Sequence, residues 1–331
     1  MIDILRLPAK PLLIVGGYGY RNAGDEAILA GLLELTGRDG VTVVSRSPAE
    51  TAATHGVRSV GMSAAPAALL RHRGVIIGGG GLFGRDMGLL GRVLPLAGLA
   101  ASTGRQVALL GVGVDRGMPR SVRVLLGALG RRATSVVVRD RDSLAILEDL
   151  GVAATLAPDL SSRVASAGRA AGIRQLELAG LQPRRREVVG LCLTAVRADL
   201  VEAVERAVIE ATDALPEVDF CLLPMSRHPF VAAHNDELLA RRLVAQRPRL
   251  RVLVPPAETA AVLGIFEAFS AAVCMRYHSL LFAERAGVPI VPFAYAEKCD
   301  HWLAERGLAA GPPSSDAIVS AVRGALHRAS A

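Results

Sequence analysis

Within "MRYHSLLFAERAGVPIVPFAYAEK", residues 275–298, Arg276, His278 and Lys298 punctuate apolar runs. A guanidinium offers carboxylate or phosphate a planar, two-pronged donor, and an ammonium offers a point charge. An imidazole carries a proton near neutral pH. Together they suit a small phosphorylated acid that is gripped and then protonated. "AAVCMR" reads as a strand ending at Arg276, and "HSLLFAERAG" as the helix that follows. His278 and Ser279 then sit at a helix N-terminus, where the dipole favours a bound anion. Lys298 follows the next strand, "VPIVPFAY", at the same sheet edge.

Other strand ends carry further candidates. "GGYGYRNAGDE" (residues 16–26) is a glycine-rich loop opening a helix, without the Lys-Ser/Thr ending of an ATP cradle. Its Asn22, Asp25 and Glu26 suit sugar hydroxyls better than phosphate, with an N-cap for the helix as the competing role of Asp25. "GGGGLFGRD" (78–86) matches G-x-G-x-x-G, but no acidic residue follows at the dinucleotide spacing. We read it as a backbone loop whose Gly80 and Gly81 amides face an anion. "VVVRDRDS" places Arg139 at a strand end, with Asp140 or Asp142 either pairing an arginine or capping the next helix. His228 and His234, beyond "CLLPM", are expected to be structural or solvated. No spacing suggests a metal site, and no nucleophile motif is persuasive.

These residues need a scaffold that exposes strand ends. Short apolar runs alternate with helical stretches: strands at "PLLIVGG", "VTVVSR", "GVRSV", "GVIIGGG", "QVALLGVGV" and "SVVVRD", with helices between them. One of these helices is expected to be broken by Pro95. After an irregular stretch the pattern restarts with "EVVGLCLT", "VDFCLLPM", "LRVLVP", "AAVCMR" and "VPIVPFAY". Continuous apolar strands separated by helices mark parallel sheets covered on both faces. The expected fold is α/β, two doubly wound Rossmann-like domains with a cleft between them. They are placed at 1–165 and 188–331, with a linker region at 166–187 and a closing helix at the end of the second.

The chain has 331 residues, 51% of them hydrophobic, so each domain can bury an aliphatic core. Its net charge of +7 favours acidic substrates or anionic lipid, but the arginine clusters lack the interleaved aromatics of a nucleic-acid platform. Cys192, Cys221, Cys274 and Cys299 form no C-x-x-C pair and read as reduced core thiols of a cytoplasmic protein. No secretory signal or transmembrane helix is expected.

"GYGYRNAGDEAIL", "GGGGLF", "VVVRDRDSLAILEDLG", "APDLS" and "MRYHSLLFAERAGVPIVPFAYAEK" together resemble the polysaccharide pyruvyl transferase family. The likeness is greatest to bacterial members that form a pyruvate ketal on N-acetylmannosamine of cell-wall polymers, a modification that lets S-layer proteins dock. The resemblance implies a GT-B-like fold, phosphoenolpyruvate as donor, no metal or redox cofactor, and a lipid-linked or polymeric sugar as acceptor. The family's Arg-x-His motif falls on Arg276 and His278, with Tyr277 where leucine is common. Its strand-end arginine falls on Arg139 and its late lysine on Lys298. A peripheral visit to the inner membrane leaflet follows from a lipid-linked acceptor and a basic surface. The competing readings are a GT-B glycosyltransferase using a nucleotide sugar and a non-catalytic sugar-binding protein.

Overall fold

Runs of Val, Ile and Leu without polar interruption find a stable place only in strands covered on both faces. The computed structural model of the chain, which describes residues 6–84 and 87–330, puts them there. It falls into two units. The first comprises the chain up to Tyr20 with Gly24–Val164, and the second Arg21–Ala23 with the residues from Ala165 on.

The first unit holds seven strands: β1 (Leu12–Val15), β2 (Val41–Val44), β3 (Arg58–Val60), β4 (Gly74–Gly78), β5 (Gln106–Val112), β6 (Ser135–Val138) and β7 (Thr155–Leu156). Their order is β3-β2-β1-β4-β5-β6-β7, and every pairing is parallel. The order reverses between β1 and β4, the switch point at which doubly wound sheets open a crevice beyond the carboxyl ends of the strands. Leu13, Ile14, Val43, Ile76 and Leu109 are all wholly buried.

The helix after β1 runs Ala23–Thr36, so Asp25 and Glu26 lie inside its first turn and Asp25 is not the N-cap. The helix Met87–Ser102 continues through Pro95 instead of breaking there. Proline forfeits one ladder bond, here to the carbonyl of Gly91. Val93, Leu96, Ala97 and Ala100 on either side are buried in the same core, which holds the turns together.

The second unit holds β8 (Val188–Cys192), β9 (Asp219–Leu222), β10 (Arg251–Val252), β11 (Ala271–Cys274) and β12 (Ile290–Pro292), in the order β10-β9-β8-β11-β12, again all parallel. The stretch 166–187 contains a helix, Arg169–Leu178, that belongs to this unit. It packs on the helix Thr259–Ala268 so closely that a Cβ on Gly172 would lie 1.8 Å from the Gly264 carbonyl oxygen. All four cysteines are buried free thiols, with Cys192 and Cys274 in register on neighbouring strands. Among the described residues no helix is long and apolar enough to cross a membrane.

Candidate active site

In the second unit the sequence places a cation at the end of β11, and the sheet then has to bury it. Arg276 follows Cys274 by two residues, is only 8% exposed, and precedes the helix Tyr277–Arg285. A buried guanidinium demands a counter-charge. Asp236 supplies it: Arg276 Nε donates to Oδ2 and Nη2 to Oδ1, each at 2.6 Å. Burial pushes the Asp236 carboxyl up, and the Arg276 charge, its hydrogen bonds and a further bond from Thr194 pull against that shift.

Asp236 also reaches into the loop after β9. It accepts from the Ser226 amide at 2.9 Å, while its own amide donates to the Ser226 carbonyl at 2.8 Å. That loop in turn pairs with Arg21–Ala23: Asn22 bridges Ser226, Ala23 N donates to Met225 O, and Arg227 N donates to Arg21 O. Asn22 therefore meets the surroundings of Arg276 through its backbone.

His278 is the second residue of the helix Tyr277–Arg285, in contact with solvent, its ring against Tyr277 (5.6 Å, edge-on) and Phe282 (5.9 Å). Lys298 is exposed in the first turn of the helix Glu297–Ala304. Its Nζ lies 5.7 Å from the Tyr295 ring centroid and 6.0 Å from that of Tyr277, and Arg276 Cζ lies 6.0 Å from the Tyr295 ring. Arg276, His278 and Lys298 thus gather around two tyrosines at the carboxyl edge of this sheet. Ser279, expected to touch substrate, is corrected: it is wholly buried, and its hydroxyl donates to the Arg276 carbonyl at 2.5 Å. The first turn of the helix consumes it.

A parallel construction occupies the first unit. Arg139, at the end of β6, is buried and donates through Nη1 to Asp159 at 3.1 Å. Asp140 lies farther off, at 3.8 Å from Nε, and caps the helix Arg141–Asp149 by accepting from Ser143 N at 2.7 Å. Asp159 belongs to the "APDLS" segment and also accepts from the Ser161 amide.

The glycine loop after β4 lies beside this pair. A Cβ on Gly113 would meet the Gly80 carbonyl oxygen at 3.0 Å and Arg139 Nη2 at 3.2 Å, and one on Gly80, whose φ is +41°, would meet Asp25 Oδ1 at 2.6 Å. Asp25, Gly80 and Arg139 are therefore brought together at the β1/β4 switch point. Gly81 is exposed at the loop's end, and Arg85 and Asp86 of the same motif lie outside the described residues. Glu26 braces the loop: one oxygen accepts from Gly19 N at 2.8 Å and the other contacts His55 Nε2 at 2.9 Å.

His228 and His234 stack edge-on at 6.0 Å, and His228 Nδ1 accepts from the Phe230 and Val231 amides, a loop-building role. Sequence reasoning passed over Asp159, Asp236 and Tyr295. The signal available for the two acids was the arginines themselves, since a strand-end arginine in an apolar sheet needs a buried carboxylate somewhere in the chain.

The chain is thus built of two Rossmann-like α/β units, each with a braced arginine at a strand end. The chain belongs to the polysaccharide pyruvyl transferase family, whose sequence profile matches residues 22–297. It is a transferase with a sugar acceptor. Comparison with curated proteins gives no match. Among solved structures the chain is similar to the UDP-GlcNAc 2-epimerase of Neisseria meningitidis bound to UDP-GlcNAc (11% identity, TM-score 0.62, covering 96% of this chain and 92% of that one). It is also similar to a putative UDP-N-acetylglucosamine 2-epimerase of Listeria monocytogenes (11%, 0.62, 96% and 88%). The ADP-heptose LPS heptosyltransferase II of E. coli is a third (11%, 0.52, 97% and 99%). At such identities the likeness concerns the fold, which is GT-B-like as the sequence predicts.

Proposed function

We propose that the protein transfers pyruvate from phosphoenolpyruvate to two hydroxyls of a sugar in a cell-wall or exopolysaccharide precursor, forming a cyclic ketal and releasing phosphate. The observation that carries this reading is the gathering of Arg276, His278 and Lys298 at one sheet edge, with Arg276 held in a fixed plane by Asp236. Phosphoenolpyruvate presents a phosphate and a carboxylate on three carbons, and this set matches that charge. In the first unit Arg139 is likewise a strand-end guanidinium held by a carboxylate, Asp159.

The chemistry needs no redox step. His278 delivers a proton to the methylene carbon, leaving C2 with the character of an oxocarbenium ion. A sugar hydroxyl adds its oxygen to C2 and gives up its proton, which replaces the one that His278 spent. The C2–O bond to phosphate breaks, and the second hydroxyl adds to C2 and closes the ring. Its proton leaves with the phosphate. Atoms balance as donor plus diol yielding ketal plus phosphate. Asp25 and the glycine loop around Gly80 and Gly81 serve the acceptor side, where short polar groups meet hydroxyls.

A lipid-linked acceptor brings the enzyme to the inner leaflet as a peripheral visitor. The decisive assay measures phosphate release from phosphoenolpyruvate across a panel of lipid-linked sugars, beside thermal shift with phosphoenolpyruvate and with nucleotide sugars. Stabilisation by phosphoenolpyruvate with sugar-dependent phosphate release supports the reading. Stabilisation by a nucleotide sugar alone, without phosphate release, assigns a glycosyltransferase instead.

A further inference from the structure

The first unit contains a cavity of about 290 Å³ that none of the residues assigned above fills. It lies beyond the carboxyl ends of β1, β2 and β3, to one side of the switch point, and is lined by Tyr18, Tyr20, Ser45, Arg46, Met62 and Ser63 among others. We infer that this cavity is the binding site for the glycosyl phosphate part of the acceptor, the sugar ring lying against Tyr20 and Met62 and the adjoining phosphate on Arg46. The inference deepens the pyruvyl-transfer reading and rests on it for the identity of the ligand as an acceptor.

The lining chooses this class of ligand. A sugar ring has apolar C–H faces and polar edges, and sites for such ligands combine apolar or aromatic walls with a few convergent polar groups. Met62 and Tyr20 offer the first, Ser63 and Arg46 the second. Among the described residues that line the cavity, Arg46 is the charged one, and its guanidinium offers a phosphate a charge-assisted contact. Its volume is near the lower end of small-molecule sites, roughly 300–1,000 Å³, enough for one sugar and no extended chain.

The walls are built in advance. The Tyr18 hydroxyl donates to the Gly78 carbonyl at 2.8 Å, and its ring is wholly buried. Arg46 N donates to Tyr18 O at 3.0 Å, which ties the end of β2 to the loop after β1. Ser45 Oγ bonds Thr51 Oγ1 at 2.7 Å and accepts from Ser47 N at 3.0 Å. Glu26 and His55 fasten the same loop from behind through Gly19. A ligand entering such a cavity pays little to order the wall, which favours affinity.

The test is direct binding, by calorimetry, of N-acetylglucosamine 1-phosphate, glucose 1-phosphate, free N-acetylglucosamine and inorganic phosphate. The proteins are the parent, Arg46→Gln, Arg46→Lys and Met62→Trp, each checked for folding by its affinity for phosphoenolpyruvate. The expected result is that the parent binds a sugar 1-phosphate more tightly than either the free sugar or phosphate. Arg46→Gln should weaken that binding about tenfold, as losing one charge-assisted contact does, and Arg46→Lys should restore part of it. Met62→Trp, which fills the cavity without touching charge, should abolish it, with phosphoenolpyruvate affinity unchanged throughout. The same sugar on uridine diphosphate and on farnesyl diphosphate distinguishes a nucleotide from a lipid source of the phosphate, and tighter binding of either supports the site. Equal binding by the parent and both Arg46→Gln and Met62→Trp overturns it, as does failure of the parent to bind either sugar phosphate. Competition by phosphoenolpyruvate for the cavity overturns it too. If the cavity passes and no acceptor elicits phosphate release, the pyruvyl-transfer reading falls and the sugar-phosphate site stands.

Discussion

Arg276 and Asp236 form a two-pronged ion pair, Nε to Oδ2 and Nη2 to Oδ1 at 2.6 Å each, with both residues buried. The pair joins the end of β11 to the loop after β9, and Ser226 carries the connection on to Asn22. Breaking a buried pair by removing one partner strands the other charge, at a cost of about 3–5 kcal/mol. Asp236→Asn should therefore destabilise the protein by roughly that amount. Combining it with Arg276→Met should recover part of that stability, because no buried charge is then left without its partner. Phosphoenolpyruvate affinity should not return with it. Denaturant unfolding and donor calorimetry on the two single variants and the double variant check this. Donor binding that recovers together with stability would reduce Arg276 to a structural part.

The corresponding pair in the first unit, Arg139 with Asp159, is packed against backbone. Gly113→Ala puts a methyl 3.0 Å from the Gly80 carbonyl oxygen and 3.2 Å from Arg139 Nη2, so the guanidinium must shift. The expected outcome is weaker substrate binding at a cost to stability of about 1–3 kcal/mol, the range for overpacking. Arg139→Ala should remove a charge-assisted contact worth about 1.5–3 kcal/mol in binding. Titration calorimetry with phosphoenolpyruvate on both variants decides. Parental affinity in each would take this arginine out of the site.

Burial holds the thiols protonated: Cys221 and Cys274 are pushed up to about 12 and Cys299 to about 11. Native protein at pH 8 should leave these thiols almost unreactive toward a thiol-specific reagent, and denatured protein should expose all four. Because folding raises these values, the associated stability is fully present below the ordinary thiol pKa of about 8.5. It is lost as pH climbs toward the raised values. Melting temperature should accordingly fall between pH 9 and 11 in the parent. The fall should be smaller in Cys221→Ala measured against its own value at pH 7. Rapid native labelling at pH 8 would contradict the burial.

Most of the scaffold was legible because apolar runs bounded by glycine leave little choice but parallel strands. "PLLIVGG", "GVIIGGG" and "AAVCMR" contain β1, β4 and β11, each expected run extending two residues past the strand's end. Sites just after such strands were legible for the same reason: Arg139 and Arg276 follow β6 and β11 closely and His278 opens the next helix, whereas Lys298 lies farther on, in the helix after β12. What escaped depended on partners distant in sequence. Nothing local marks Asp236 as the counter-ion of a residue 40 positions later, or Asp159 as that of one 20 positions earlier. Ser279 looked available because hydroxyls at helix starts often are, but the turn geometry directs it to the Arg276 carbonyl. The cavity beside Tyr20 and Arg46 depends on three loops meeting, and of these the sequence marks the first, "GGYGYRNAGDE", but not the two that complete the wall.

In the proposed reaction His278 delivers the proton that starts pyruvyl transfer. The His278→Gln variant keeps a hydrogen-bonding side chain in the first turn of its helix and removes the transferable proton. The most direct measurement is phosphate release from phosphoenolpyruvate in the presence of a competent sugar acceptor, with donor affinity and melting temperature taken on the same preparation. Donor binding and stability should stay near-parental, with turnover lower by about 10²–10⁴-fold, the usual contribution of a general acid. A folded His278→Gln protein that releases phosphate at close to the parental rate would contradict that role.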